Sequence, residues 1–240
     1  MSQIISSLFI IPVIVSGLLL ILPKTISRFL VVASSIVLSG IAVYVFTGMN
    51  ETIHFNVPYY VNDIVAGTDI LLLVYFGWVA LRKRNWLVGL MTVLQMGGLL
   101  YLLNTLPADH STQFMVDKLS AFMFLLINII SGIIAIFSLR YIDEENCSSF
   151  RKKYFLSILF WFIAVMNLVV SSDNMEYFFL FFELTTLASF LLIGFRKDKE
   201  SVKNALTALW MNQIGGLAIL IAIFFIAYNG YGEATFSNLL

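Results

Sequence analysis

The chain has 240 residues, 60% of them hydrophobic and 12% charged, with a formal net charge of zero and a mean hydropathy of +0.94. A soluble domain carries about 25% charged residues, so this composition excludes a water-soluble globular protein and indicates a polytopic membrane protein, and the charge balance gives no footing for nucleic acid. The single cysteine, Cys147, excludes an intrachain disulfide and any cysteine cluster for zinc or iron–sulfur, and His54 and His110 fall far apart in expected loops, which argues against metal held by the chain's own ligands.

Apolar runs separated by charged or turn-rich breaks predict eight membrane-spanning helices: Ile4–Leu22, Arg28–Thr47, Ile64–Leu81, Trp86–Leu106, Leu119–Leu139, Tyr154–Ser171, Asn174–Phe195 and Asn204–Tyr228. A span needs about 20 residues. The first is read as a span and not as a signal peptide, because it lacks a basic start and Leu20-Ile21-Leu22-Pro23 is no small-residue cleavage site. The longest expected loop, Gly48–Asp63, holds Pro58-Tyr59-Tyr60, which suits an interfacial segment with aromatic anchors.

The loops test the helix count independently. Lys24 and Arg28, then Arg82, Lys83 and Arg84, then Arg140, Arg151, Lys152 and Lys153, then Arg196, Lys197, Lys199 and Lys203 fall in alternate loops, leaving Lys118 as the exception among 14 basic residues. The other loops carry Glu51, Asp63, Asp109, Asp117, Asp173, Glu176 and Glu233. Basic residues near span ends favour the cytoplasm, so the alternation predicts eight spans with both termini outside. Arg82-Lys83-Arg84 is read as a topology determinant.

Two acids lie well inside expected spans. Glu183 sits near the middle of NMEYFFLFFELTTLASFLLIGFR, flanked by Phe181, Phe182 and Leu184. An ionisable group at that depth costs at least about 2.5–3.5 kcal/mol on insertion scales and marks a functional site by default. Desolvation disfavours its charged form, which suits an acid that takes and releases a proton. Glu176, seven residues earlier, and Thr186, three residues later, share its helix face, so the three mark a polar seam with water bridging the gaps. The plain alternative is a protonated glutamate acting as glue between helices. Asp69 is a weaker second proton site, for it is also read as sitting near the outer interface or just ahead of its helix.

The eighth helix carries Ala208, Asn212, Gly215, Gly216 and Ile219 at helical spacing. Small residues permit close backbone approach and Asn212 supplies a hydrogen bond, so this is a packing face, with Asn212 or Gln213 lining a pathway as the alternative. The fifth helix repeats the pattern with Asn128, Ser131, Gly132 and Ala135, and Gln95, Gly97 and Gly98 give the fourth a polar packing spot. No phosphate loop or nucleophile motif is present.

Phe178–Phe195, FFLFFELTTLASFLLIGF, resembles the glutamate helix of the large antiporter-like subunits of respiratory complex I, group 4 membrane-bound hydrogenases and Mrp-type cation/proton antiporters. The residue before the glutamate, often Trp in that family, is Phe182. Val116-Asp117-Lys118-Leu119-Ser120, with Tyr141 at the helix end, is similar to the opening of the family's third helix. Ala205–Ala218 takes the place of its sixth, where Gly215-Gly216-Leu217-Ala218 looks closer to the Mrp or hydrogenase branches. The resemblance begins at about Phe114. It divides the chain into an N-terminal four-helix region, 1–113, and the start of an antiporter-like domain, 114–240, and makes the third and fourth helices an extra pair.

The resemblance implies the incomplete first half of an all-α inverted-repeat transporter fold, moving protons through half-channels with Glu183 paired to lysines on later helices. A family lysine early in the sixth helix falls at Thr207, with Lys203 one turn earlier as a substitute; the Arg-x-x-Asp pair of the complex I branch falls at Gln213 and Gly216 and is absent. The broken helix with its central lysine would lie beyond Leu240, so the chain reads as the N-terminal part of a longer subunit or as one piece of a split one. The implied role is a proton-translocating subunit of a complex I-like NADH:quinone oxidoreductase or membrane-bound hydrogenase in a prokaryotic inner membrane. Iron–sulfur, flavin or nickel–iron centres would reside in partner subunits and a peripheral redox arm, and none in this chain. The alternatives are an Mrp-type antiporter subunit exchanging Na⁺ for protons, and a structural or assembly subunit.

Overall fold

The computed structural model describes residues 1–49, 51–58, 60–105, 113–228 and 234–237. Eight helices carry almost all of it: α1 (Ser2–Ile21), α2 (Lys24–Gly48), α3 (Tyr60–Lys83), α4 (Trp86–Thr105), α5 (Lys118–Glu144), α6 (Ser149–Ser171), α7 (Met175–Ile193) and α8 (Lys199–Tyr228). All eight are long and apolar enough to cross a membrane, and the chain is an integral multi-pass membrane protein. Two short strands, absent from the sequence expectations, pair with one another: β1 (Ile53–Phe55) and β2 (Phe114–Val116). His110, Asp109, Glu233, Tyr59 and Leu106 lie outside the described residues.

Polar residues set the helix ends. Asp117 caps α5, its Oδ1 accepting from the Ser120 amide at 2.7 Å and the Ser120 hydroxyl at 2.8 Å. Asn174 caps α7 by accepting from the amides of Glu176 (2.8 Å) and Tyr177 (3.3 Å). Such caps satisfy amides that have no partner within the helix. Between α3 and α4, Arg84 takes φ 53° and Asn85 Oδ1 accepts from the Val88 amide at 3.2 Å. A 3₁₀ turn, Gly194–Arg196, follows α7 and closes on Lys197 at φ 63°.

Several helices run past their expected limits. α3 begins four residues before Ile64, so Asp69 lies nine residues inside it and not near its start. α5 continues to Glu144 and includes Arg140 and Tyr141, while α8 begins at Lys199 and includes Lys203. Charged residues at these ends extend the helix beyond the apolar run that hydropathy detects, with their long stems reaching toward water.

The chain forms two compact units, residues 1–53 with 116–171 and residues 54–115 with 172–240. In the first, α1 packs on α2 and α6, and α5 packs on the same two, closing a four-helix bundle. In the second, α3 packs on α4 and α7, and α8 on the same two, closing another.

A narrow buried stripe on each helix explains these bundles. In α4 the buried positions are Val88, Thr92, Gln95, Leu99 and Leu102, and in α8 they include Leu209, Gln213, Gly216, Leu220 and Ile223. Both follow the alternating four-three spacing of a left-handed helix–helix seam, leaving the remaining apolar surface to lipid. The stripe on α8 is displaced from the expected packing face: Gly216 is buried in it, whereas Ala208, Asn212, Gly215 and Ile219 are half-buried on its flank. Gln213, one residue along from Asn212, makes the hydrogen bonds to α4.

The first unit's polar core is paired. Asn128 on α5 and Asn167 on α6 bond side chain to side chain at 3.0 Å, and Asn167 also donates to the Leu8 carbonyl at 3.1 Å. Ser16 and Ser157 each donate to the other's carbonyl, at 2.9 and 2.8 Å. A Cβ on Gly132 would lie 3.3 Å from Ser35 Cβ, which marks the close approach of α5 to α2. Asn128 and Gly132 are both buried on α5.

Candidate buried carboxyl site

Glu183 is fully buried, at 0% exposure, inside the second unit. α7 aims it at α4 and α8, where Gln95 Nε2 donates to its Oε1 at 2.7 Å. The same amide nitrogen donates to the Gln213 carbonyl at 3.1 Å. Gln213 Nε2 in turn donates to Thr92 Oγ1 at 2.8 Å and to Gln95 Oε1 at 3.4 Å, and Thr92 closes the chain by donating to the Val88 carbonyl at 2.8 Å. Four residues on three helices thus form one buried polar layer between apolar ones.

Gly216 makes room for it. A Cβ there would fall inside contact distance of both Glu183 Oε1 and Gln95 Nε2. On the adjacent residue, Gly215, a Cβ would approach Phe182 at 2.9 Å. The two glycines therefore seat consecutive residues of the glutamate helix, which gives the small pair on α8 a specific purpose.

The layer is incompletely satisfied. Glu183 Oε2 and Gln213 Oε1 have no hydrogen-bond partner among the described residues. The partner that Glu183 does have is a neutral amide. A buried charge without a counter-ion costs several kcal/mol, and a proton on Oε2 removes that charge. The arrangement can therefore hold a proton at a defined atom.

The other expected residues divide around this layer. Thr186 is fully buried, but its hydroxyl donates to the Phe182 carbonyl at 3.1 Å. Glu176 is half-buried two turns before Glu183 and lines a small cavity with Asp69. Lys203 is exposed in the first turns of α8, 13 residues before Gly216 and so roughly 20 Å away along the axis; the structure does not bring it to Glu183. Sequence reasoning gave Gln95 only a packing role and Thr92 none. The signal for them is the stripe Val88–Thr92–Gln95–Leu99–Leu102, which sets two polar residues on a face otherwise built for burial.

Two family models match the chain. One, described as the N-terminus of NADH-ubiquinone oxidoreductase (complex I) chain 5, covers residues 103–151, and the other, described as NADH:quinone oxidoreductase/Mrp antiporter, TM, covers residues 172–240. Similar proteins include NADH-ubiquinone oxidoreductase chain 5 of Wickerhamomyces canadensis, 34% identical over 116 residues, or 48% of this chain and 17% of that protein. Hydrogenase-4 component B of Escherichia coli is 32% identical over 108 residues, 45% of this chain and 16% of that one. Na(+)/H(+) antiporter subunit A1 of Staphylococcus haemolyticus is 34% identical over 116 residues, 48% of this chain and 14% of that one. The matched stretch is less than a fifth of the length of each of these relatives.

Proposed function

We propose that this chain, as a member of the antiporter-like membrane subunit family of complex I, hydrogenases and Mrp antiporters, supplies part of a transmembrane proton path in which Glu183 is the group that binds and releases the proton. The observation that carries the reading is the burial of Glu183 with Oε2 unpartnered and a neutral amide on Oε1. The complex is a proton-pumping redox complex of the NADH:quinone oxidoreductase or hydrogenase type in a prokaryotic inner membrane. Its redox centres are carried by partner subunits on a peripheral arm, and further antiporter-like helices complete the path. Glu176 stands on the entry side of Glu183, and Thr186 one turn beyond it. The alternation of basic and acidic loops supports an orientation with both termini and the Glu176 end of α7 outside.

A second reading, an Mrp-type subunit exchanging Na⁺ for protons, has equal support from one observation: identity to the antiporter subunit equals that to the complex I chain, 34% over 116 residues in each case. Glu183→Gln in the complete, assembled complex tests the proton site in membrane vesicles. Proton movement is expected to fall by about tenfold or more, a change of ~1.4 kcal/mol in the barrier. Intact pumping would sink the reading and leave a structural subunit. Acidification driven by NADH or hydrogen favours the redox complex, and acidification driven only by a sodium gradient favours the antiporter.

A further inference from the structure

Asp69 lies on α3, outside both stretches that match family models. It is 2% exposed and its Oδ1 has no hydrogen-bond partner among the described residues. An unmet carboxyl oxygen in the interior is costly unless something fills its place. Asp69 and Glu176 line a cavity with about 20 Å³ open to the centre of a water molecule, walled by Val65, Leu99, Phe179 and Leu220. About 10–15 Å³ of such room holds one water, provided polar partners surround it, and two carboxyl groups meet that need. Asp69 also lies within electrostatic range of both Glu176 and Glu183. Those two glutamates are seven residues apart, about 10 Å along α7, which is too far for a direct handover.

We infer that Asp69 is a second protonation site, joined to Glu176 by one water in this cavity, and that it relays protons from Glu176 toward Glu183. The water takes a proton from the Glu176 carboxyl and gives one to Asp69 Oδ1, so water is regenerated, one carboxyl is emptied and the other filled. The helix orients the relay: Asn62, Val65 and Asp69 recur at helical spacing on α3, and Asn62 Oδ1 accepts from the Tyr177 hydroxyl at 2.6 Å, fixing that face against the start of α7. The inference rests on Glu183 being the proton site.

The test compares Asp69→Asn, Asp69→Glu, Ala66→Leu and Glu183→Gln in the assembled complex in membrane vesicles. Ala66 lines the cavity, so leucine there displaces the water and leaves every carboxyl in place. Asp69→Asn and Ala66→Leu are each expected to slow proton movement by about tenfold or more, while Asp69→Glu keeps it within about threefold. Infrared difference spectra should show a protonated-carboxyl band that is lost in Asp69→Asn and is distinct from the band lost in Glu183→Gln. If Asp69→Asn pumps normally while Glu183→Gln does not, the relay is overturned and the Glu183 reading stands. If Asp69→Asn fails to assemble, normal pumping by Ala66→Leu overturns the relay on its own.

Discussion

Gln95 Nε2 lies 2.7 Å from Glu183 Oε1, and this bond joins a residue outside the stretches that match family models to one inside them. Both residues are fully buried. Gln95→Leu leaves Glu183 Oε1 without a donor in the interior, and a group stranded in this way costs about 1–3 kcal/mol. We expect Gln95→Leu to lower the thermal stability of the detergent-solubilised complex. The loss should shrink when Glu183 is also leucine, because the stranded acceptor is then gone. Equal losses in both backgrounds would show that Gln95 packs without serving the carboxyl.

The glycines of the second bundle are not equivalent. A Cβ at Gly216 would collide with Glu183 and Gln95, whereas at Gly98 it would meet only Leu220 Cδ1 at an ordinary 3.6 Å. Gly216→Ala should therefore destabilise by about 1–3 kcal/mol, as overpacked cores do. Gly98→Ala should be neutral or stabilise by up to about 1 kcal/mol, since alanine favours helix over glycine. Thermal denaturation of the two variants side by side decides the point.

The eight spans were legible because each apolar run is long enough to cross a bilayer, and basic residues between runs fixed their number. Glu183 was legible as a polar group set within the membrane because a carboxyl flanked by phenylalanines stands out in an apolar span. Its partner was not. Gln95 is 88 positions away, and beside Gly97 and Gly98 it reads as a packing spot. Only the burial of its stripe shows which way it faces. Hydropathy alone sets Asp69 near a helix start because it misses the polar first turn of α3, Tyr60-Val61-Asn62-Asp63. On α8 the packing stripe was read one residue out of register at Asn212, since Asn212 and Gln213 are equally polar and only the seam of α4 against α8 separates them.

In the first bundle, Asn128 and Asn167 bond to one another at 3.0 Å, and Asn167 also bonds to the Leu8 carbonyl. Their expected role is helix adhesion. In membrane interiors such pairs couple by about 0.6 kcal/mol and at most ~1.7. A double-mutant cycle with Asn128→Ala and Asn167→Ala should give a coupling in that range, with proton movement nearly unchanged. A loss of pumping comparable to Glu183→Gln would place these asparagines on the proton path instead.

Arg84 supplies the sharpest test of orientation. It occupies an exposed turn between α3 and α4 at positive φ, inside the basic run Arg82-Lys83-Arg84. Clusters of this kind near span ends favour the cytoplasm, and Cys147, between α5 and α6, falls in another of the basic loops. With Cys147 replaced by serine, an Arg84→Cys variant should resist a membrane-impermeant maleimide in right-side-out vesicles and react in inverted ones. Asp63→Cys, at the opposite end of α3, should show the reverse. Labelling of Arg84→Cys from the outer side would invert α3, and with it the orientation assigned to Glu176 and Glu183, because three spans lie between α3 and α7 and the two therefore cross in the same direction.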